Sequence, residues 1–105
     1  KSGGEWIPSI DLENAAIAHP EVTMVAAIAV DHEKWQERPV LVVVRRTGSD
    51  LDEEELLDFM RPKMAKWWVP DAVIFVDEVE VNANGKIRKN ILRDHYKRYL
   101  LEHAD

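Results

Sequence analysis

Cysteine is absent from the 105-residue sequence, which excludes disulfide frameworks, thiolate metal sites and cysteine nucleophiles together. Long apolar runs are absent as well. The candidate run at 22–30 ends at the polar pair Asp31-His32 and has about half the length that a membrane-spanning helix needs. The opening residues 1–4 lack the apolar segment of a secretory signal peptide, so we expect a cytoplasmic protein.

Basic residues are in the minority and are unevenly distributed. The chain has 14 Lys and Arg against 20 Asp and Glu, a net charge of −6. Residues 1–84 hold 8 basic and 17 acidic residues, whereas residues 85–105 hold 6 basic and 3 acidic residues. An acidic body with a short basic end indicates an anionic ligand near that end, but it argues against nucleic-acid binding.

The spacing of apolar residues predicts one α+β domain over residues 1–105. The predicted helices are 9–18, 52–66 and 88–103, and the predicted strands are 22–30, 39–46 and 72–77. Pro62 lacks an N–H group, so the second helix should kink or restart there. A loop is expected at 31–38 and a turn at 81–85. We therefore expect a small, mainly antiparallel sheet with about three packed helices.

Residues capable of unaided catalysis are scarce. The four histidines lack the spacing of a metal site, so no metal is predicted, and His95 is expected to be a structural residue of the last helix. No serine lies in a G-x-S-x-G context. Asp11 and Glu13 are expected to cap the first helix. On spacing alone, the glycine pair at 3–4 is a flexible terminus and Gly85-Lys86 a solvated basic turn.

Several separated motifs nevertheless occur in one order. They are Lys1-Ser2-Gly3-Gly4-Glu5-Trp6-Ile7, Asp11-Leu12-Glu13, His19-Pro20, Lys34-Trp35-Gln36-Glu37-Arg38-Pro39, Ala65-Lys66-Trp67-Trp68-Val69-Pro70 and Gly85-Lys86. In this order they resemble the C-terminal domain of adenylate-forming (AMP-binding) acyl-CoA synthetases, most closely the medium- and long-chain fatty-acid–CoA ligases. The resemblance covers essentially all 105 residues. It implies a lid domain whose larger N-terminal partner domain binds ATP, Mg²⁺ and the fatty acid. It also implies that this fragment is inactive alone and binds no Mg²⁺ itself.

The resemblance also implies a role for Lys86 as the adenylation lysine. A carboxylate and an α-phosphate repel each other, and an ammonium group between them offsets that repulsion and positions both reactants. The family usually has Pro, a basic residue and Thr ahead of Gly-Lys, where this chain has Glu80, Val81 and Asn82. We expect the loss of Pro to loosen the presentation of Lys86, and Glu80 to add a nearby anion.

The opening segment would serve the nucleotide and CoA. Lys1 and Trp6 resemble family positions that reach the nucleotide when the lid closes. Gly3 and Gly4 would let the backbone approach the pantetheine arm of CoA in a tunnel. Glu5 would orient the thiol or help to deprotonate it. The other tryptophans are expected to pack in the core or between domains.

Two further functions stay open. An adenylation-domain lid that loads the phosphopantetheine of a carrier protein would share most of these motifs, although Trp6 and Lys34-Trp35 favour CoA. A non-enzymatic module could use the basic segment 86–98 to bind nucleic acid, but the acidic body argues against it.

Overall fold

The computed structural model describes residues 8–102, which contain three strands and four α-helices. In chain order they are α1 Ser9–Ile17, β1 Val22–His32, β2 Gln36–Arg45, α2 Glu53–Met60, β3 Ala72–Val76, α3 Lys89–Tyr96 and α4 Tyr99–Glu102. Two short 3₁₀ helices, Arg61–Lys63 and Lys66–Trp68, lie between α2 and β3. Within residues 8–102 no helix has both the length and the apolar character needed to cross a membrane.

The three strands form one sheet in the order β1-β2-β3. β1 and β2 pair antiparallel from Val22↔Arg45 to His32↔Gln36, and β2 and β3 pair parallel from Val40↔Ala72 to Val44↔Val76. The antiparallel ladder is the longer of the two, in keeping with the predicted α+β architecture. The parallel pair was not predicted, because the sequence does not reveal the direction in which the third strand joins the sheet.

The predicted loop at 31–38 is wrong, since most of it belongs to the β1–β2 hairpin. Only residues 33–35 turn. The Nδ1 atom of His32 accepts the backbone N–H groups of Lys34 and Trp35 at 3.0 and 3.2 Å, and Gln36 adopts a φ of 70°. This local network reverses the chain in three residues, so polar residues continue the ladder where a loop was expected.

Apolar side chains of the sheet are buried on both of its faces. Leu41 and Val43 of β2 belong to a cluster with α1 and α2, whereas Val40 and Val42 belong to a cluster into which α3 and α4 pack. Successive strand residues point to opposite faces. A sheet covered by helices on both sides therefore accounts for the unbroken apolar run of β2.

The second and last helices are shorter than predicted. Asp52 begins α2 with a capping box, in which its side chain accepts the Glu55 N–H at 2.8 Å, and the α-helix ends at Met60 before Pro62. The break expected at Pro62 is confirmed, and the chain continues there as a 3₁₀ turn. The predicted helix 88–103 is interrupted at 97–98, where the Lys97 carbonyl accepts the Asp31 N–H of β1 at 2.8 Å.

Candidate functional site

Lys86 lies on an exposed hairpin formed by residues 80–88, here called the Lys86 hairpin. Val81 and Ile87 form an antiparallel bridge. The Arg88 N–H donates to the Glu80 carbonyl at 2.9 Å, and the Asn82 N–H donates to the Lys86 carbonyl at 2.8 Å. The predicted turn is therefore held by backbone pairing, and it carries Lys86 on an ordered support.

Asn82 and Gly85 set the geometry of the turn. The side-chain oxygen of Asn82 accepts the N–H groups of Asn84 and Lys86 at 3.2 and 3.0 Å, and the Gly85 N–H donates to the Asn82 carbonyl at 2.9 Å. Gly85 has a φ of +85°, a conformation that costs other residues free energy. Asn82 thus supplies an oxygen acceptor at the position where the family resemblance expects Thr, whose hydroxyl could accept as well.

Glu80, which takes the place of the usual Pro, faces Arg88 across the hairpin. Its Oε2 lies 3.7 Å from Nη1 of Arg88, and both side chains are largely exposed. Such a surface pair contributes little free energy. In this arrangement the Glu80 carboxylate faces a cation other than Lys86 and makes no ion pair with Lys86.

The Lys86 side chain is exposed, and within residues 8–102 its ammonium group makes no hydrogen bond or ion pair. The neighbouring cations are both engaged, Arg88 with Glu80 and Lys89 with Glu13. Lys86 is accordingly the cation of this segment that can meet an incoming anion without first breaking a contact. This arrangement suits electrostatic stabilisation of phosphate and carboxylate groups.

The other predicted site residues, Lys1, Gly3, Gly4, Glu5 and Trp6, lie outside the described residues. Within residues 8–102 no group of three or more His, Cys, Asp or Glu could hold a metal ion.

His95 is exposed rather than set on the apolar side of the last helix. Its ring lies edge-on to the Tyr96 ring, with 4.5 Å between the ring centroids.

The prediction that Glu13 caps α1 is wrong. Its Oε2 instead accepts the N–H of Ala27 in β1 at 2.9 Å and lies 2.6 Å from Nζ of Lys89 at the start of α3. Both contacts join residues far apart in the sequence, so no local pattern announces them. The residue common to both contacts is Glu13. In the sequence it is only a charged residue that follows Leu12, a buried apolar residue of the same helix.

Arg38 is a buried charge for which the sequence alone predicts no role. It is 8% exposed and donates to the Asp71 carboxylate at 2.7 Å and to the carbonyls of Trp67 and Val69 at 2.9 Å each. It therefore fastens the segment 67–71 to β2. Trp35 and Trp67 are 40% and 44% exposed, while Trp68 packs against the core.

Comparison with known proteins gives consistent relatives. The model of the AMP-binding enzyme C-terminal domain matches residues 11–86, so its last matched residue is Lys86. The 3-methylmercaptopropionyl-CoA ligase of Ruegeria lacuscaerulensis is 56% identical over 97 residues, which cover 92% of this chain and 18% of that protein. The medium-chain-fatty-acid–CoA ligase of Ectopseudomonas oleovorans is 50% identical over 101 residues, which cover 96% and 18% respectively.

A solved structure agrees with the fold. ATP-bound MatB from Rhodopseudomonas palustris superimposes with a TM-score of 0.89 at 36% identity, over 93% of this chain and 20% of MatB. The chain thus spans about a fifth of the length of the relatives it matches. With its matched sequence and its fold, the chain belongs to the AMP-binding enzyme C-terminal domain family, whose members here are parts of acyl-CoA ligases.

Proposed function

We propose that this chain is the lid of a longer, AMP-forming acid–CoA ligase and that Lys86 is its adenylation lysine. An oxygen of the acid's carboxylate attacks the α-phosphorus of ATP, the bond from that phosphorus to the bridging oxygen breaks, and pyrophosphate leaves. Charge grows on the phosphoryl oxygens as this happens. The Lys86 ammonium reduces the repulsion between the two anions and holds them together.

The observation that carries this proposal is the setting of Lys86. It is exposed and without an ion-pair partner within residues 8–102, it follows a glycine with positive φ, and it is the last residue of the family match. A lysine that only kept the domain soluble would not need a turn in which Asn82 fixes its backbone N–H.

The second half-reaction would use the opening segment. The CoA thiol loses its proton, its sulfur attacks the acyl carbon, and AMP leaves with the electrons of the broken bond. Gly3 and Gly4 would border the pantetheine arm and Glu5 would receive or orient the thiol proton. Lys1 and Trp6 would contact the nucleotide in the closed lid, the first by charge and the second through its ring.

The remaining parts of the reaction belong to a partner domain that precedes this chain. That domain would bind ATP with Mg²⁺ and the acid, so residues 1–105 alone should activate no acid. We place the enzyme in the cytoplasm, where ATP and CoA are available.

The acid itself is proposed to be a fatty acid of medium or long chain. Relatives named medium-chain- and long-chain-fatty-acid–CoA ligase are 50% and 48% identical to the chain. A second candidate substrate is a short thioether acid, since two 3-methylmercaptopropionyl-CoA ligases are 56% and 53% identical. Measurement of kcat/KM for octanoate, palmitate and 3-methylmercaptopropionate separates the two. A preference of tenfold or more for the thioether acid would replace the fatty-acid assignment.

The experiment that tests the function uses the full-length protein and its Lys86→Ala variant. Pyrophosphate release measures adenylate formation, and conversion of preformed acyl-adenylate to thioester measures the second step. We expect the variant to lose roughly a hundredfold or more in the first step, with the second step changed only a few-fold. Lys97→Ala, which removes an exposed lysine of the same domain, serves as the matched control.

Equal losses in both steps would contradict the assignment of Lys86. Transfer of the acyl group to a carrier-protein phosphopantetheine in preference to CoA would leave the lysine in place but replace the acceptor. Absence of any acyl-adenylate from the wild-type protein would reject the enzymatic proposal as a whole.

A further inference from the structure

One oxygen of Glu13 joins three elements of the fold. Its Oε2 accepts the Ala27 N–H of the edge strand β1 at 2.9 Å and lies 2.6 Å from Nζ of Lys89, the first residue of α3. Glu13 itself is fixed to the body, since its neighbour Leu12 is 1% exposed in the core. The Glu13 carboxylate is therefore held in a fixed position, and its ion pair with Lys89 holds the start of α3 there.

The Glu13 carboxylate lies next to the end of the Lys86 hairpin that leads into α3. Lys89 follows Lys86 by three residues, and its backbone N–H donates to the carbonyl of Ile87 at 3.0 Å. Within residues 8–102, the hydrogen bonds and ion pairs of residues 80–88 stay inside the hairpin or run to the first turn of α3. The pair formed by Glu13 and Lys89 is thus the nearest polar link between the hairpin and the domain body.

The burial of this pair gives it more weight than a surface ion pair. The side chains of Glu13 and Lys89 are 18% and 30% exposed, compared with 67% and 46% for Glu80 and Arg88. Partly buried charges are screened less by salt. Removal of one partner also leaves the other charge poorly solvated.

The middle and the end of α3 are held by apolar contacts, because Leu92 and Tyr96 pack against the cluster that contains Val40 and Val42. A helix fixed at both ends has a fixed direction. The position of Lys89 at the start of α3 then determines the orientation of the Lys86 hairpin and the place of the Lys86 ammonium group.

We propose that Glu13 and Lys89 are positioning residues that act through Lys86 in adenylate formation. This inference rests on the proposed function. Because a displacement of about 1 Å can cost a hundredfold in rate, even a small change in the direction of the hairpin should be measurable in kcat.

The chain offers a matched control for the change at the strand contact, where a Gln amide oxygen still accepts the N–H but carries no charge. Glu53 of α2 accepts the N–H of Val73 in the other edge strand at 2.8 Å, but forms no ion pair with a lysine within residues 8–102. Glu53→Gln and Glu13→Gln therefore make the same chemical change at an edge strand. Only Glu13→Gln also removes the charge that holds Lys89.

The experiment measures both half-reactions in the full-length protein. We expect Lys89→Met and Glu13→Gln to lower kcat of adenylate formation roughly tenfold or more, with KM for the acid and ATP within about twofold. Thioester formation from preformed adenylate should stay within about twofold. Lys89→Arg, which keeps a cation at this point, should retain most of the rate, and Glu53→Gln should leave it unchanged.

A second arm asks whether the pair acts through Lys86. In a Lys86→Ala background, Lys89→Met should cause no further loss of adenylate formation, because the group that it positions is gone. A further tenfold loss in that background, or equal losses in both half-reactions, would overturn the inference and leave a purely structural pair.

Amide hydrogen exchange of residues 80–88 tests, without an activity measurement, whether the Glu13–Lys89 ion pair holds the Lys86 hairpin in place. Lys89→Met should speed this exchange severalfold relative to wild type, and Glu53→Gln should not. Unchanged exchange in Lys89→Met would refute this role of the ion pair even if Glu13→Gln failed to fold. If the wild-type protein forms no acyl-adenylate, the proposed function fails. Faster exchange in Lys89→Met would in that case still support the role of the Glu13–Lys89 ion pair in holding the hairpin.

Discussion

Arg38 offers the sharpest test of how the domain is held together. The perturbation is Arg38→Met, which keeps an unbranched side chain in the space of a residue that is 8% exposed. The substitution removes the donors to Asp71 at 2.7 Å and to the carbonyls of Trp67 and Val69 at 2.9 Å each.

The size of the effect follows from those partners. A hydrogen bond to a charged group contributes about 1.5–3 kcal/mol. The three bonds do not add in full, because the Asp71 side chain is 26% exposed and can regain water. We therefore expect Arg38→Met to lower the free energy of unfolding by about 3 kcal/mol, close to the loss found when one partner of a buried pair is removed. Arg38→Lys should cost about half as much, since an ammonium group cannot reproduce the fork of a guanidinium.

The assay is urea unfolding of residues 1–105, expressed alone and followed by tryptophan fluorescence. Its apolar clusters lie within the chain, so we expect a cooperative transition. Arg46→Met, at an exposed arginine, is the matched control and should change the free energy by no more than about 0.5 kcal/mol. A loss below about 1 kcal/mol for Arg38→Met would refute the reasoning.

Two other substitutions test the turn of the Lys86 hairpin and the N-cap of α2. Asn82→Ala removes the acceptor of the Asn84 and Lys86 N–H groups, so adenylate formation by the full-length protein should fall roughly three- to tenfold. Asn82→Thr should restore part of the rate, and an unchanged rate in Asn82→Ala would exclude a role for the turn. Asp52→Ala removes the capping box and should lower the free energy of urea unfolding by about 1 kcal/mol. A change below about 0.3 kcal/mol in Asp52→Ala would contradict the capping role.

Local patterns predicted the elements that local forces determine. Val40 to Val44 form an apolar run, and such a run is typical of a strand covered on both faces, as β2 is. Pro62 ended a helix for a reason confined to its own ring. The hairpin at 31–38 escaped prediction because its polar residues are paired through the His32 side chain, a contact that apolar periodicity does not register.

The candidate site divides in the same way. Gly85 before Lys86 is a local signal, and the turn occurs where it was expected. The partners of Glu13 and Arg38 lie 14 or more residues away in the chain, and a single sequence does not show which charges will meet. From the sequence, Glu13 is predicted to cap a helix because it lies near a helix start. Only the fold shows that a strand edge and a lysine lie beside it.

The central claim is that the Lys86 ammonium lies between the acid and the α-phosphate of ATP. A crystal structure of the full-length protein with ATP, Mg²⁺ and the acid, taken before CoA is added, measures this directly. We predict Nζ of Lys86 within about 3.2 Å of an oxygen of the carboxylate or of the α-phosphate. With the lid closed over both reactants, an Nζ facing solvent and a different cation in contact with those oxygens would contradict the account.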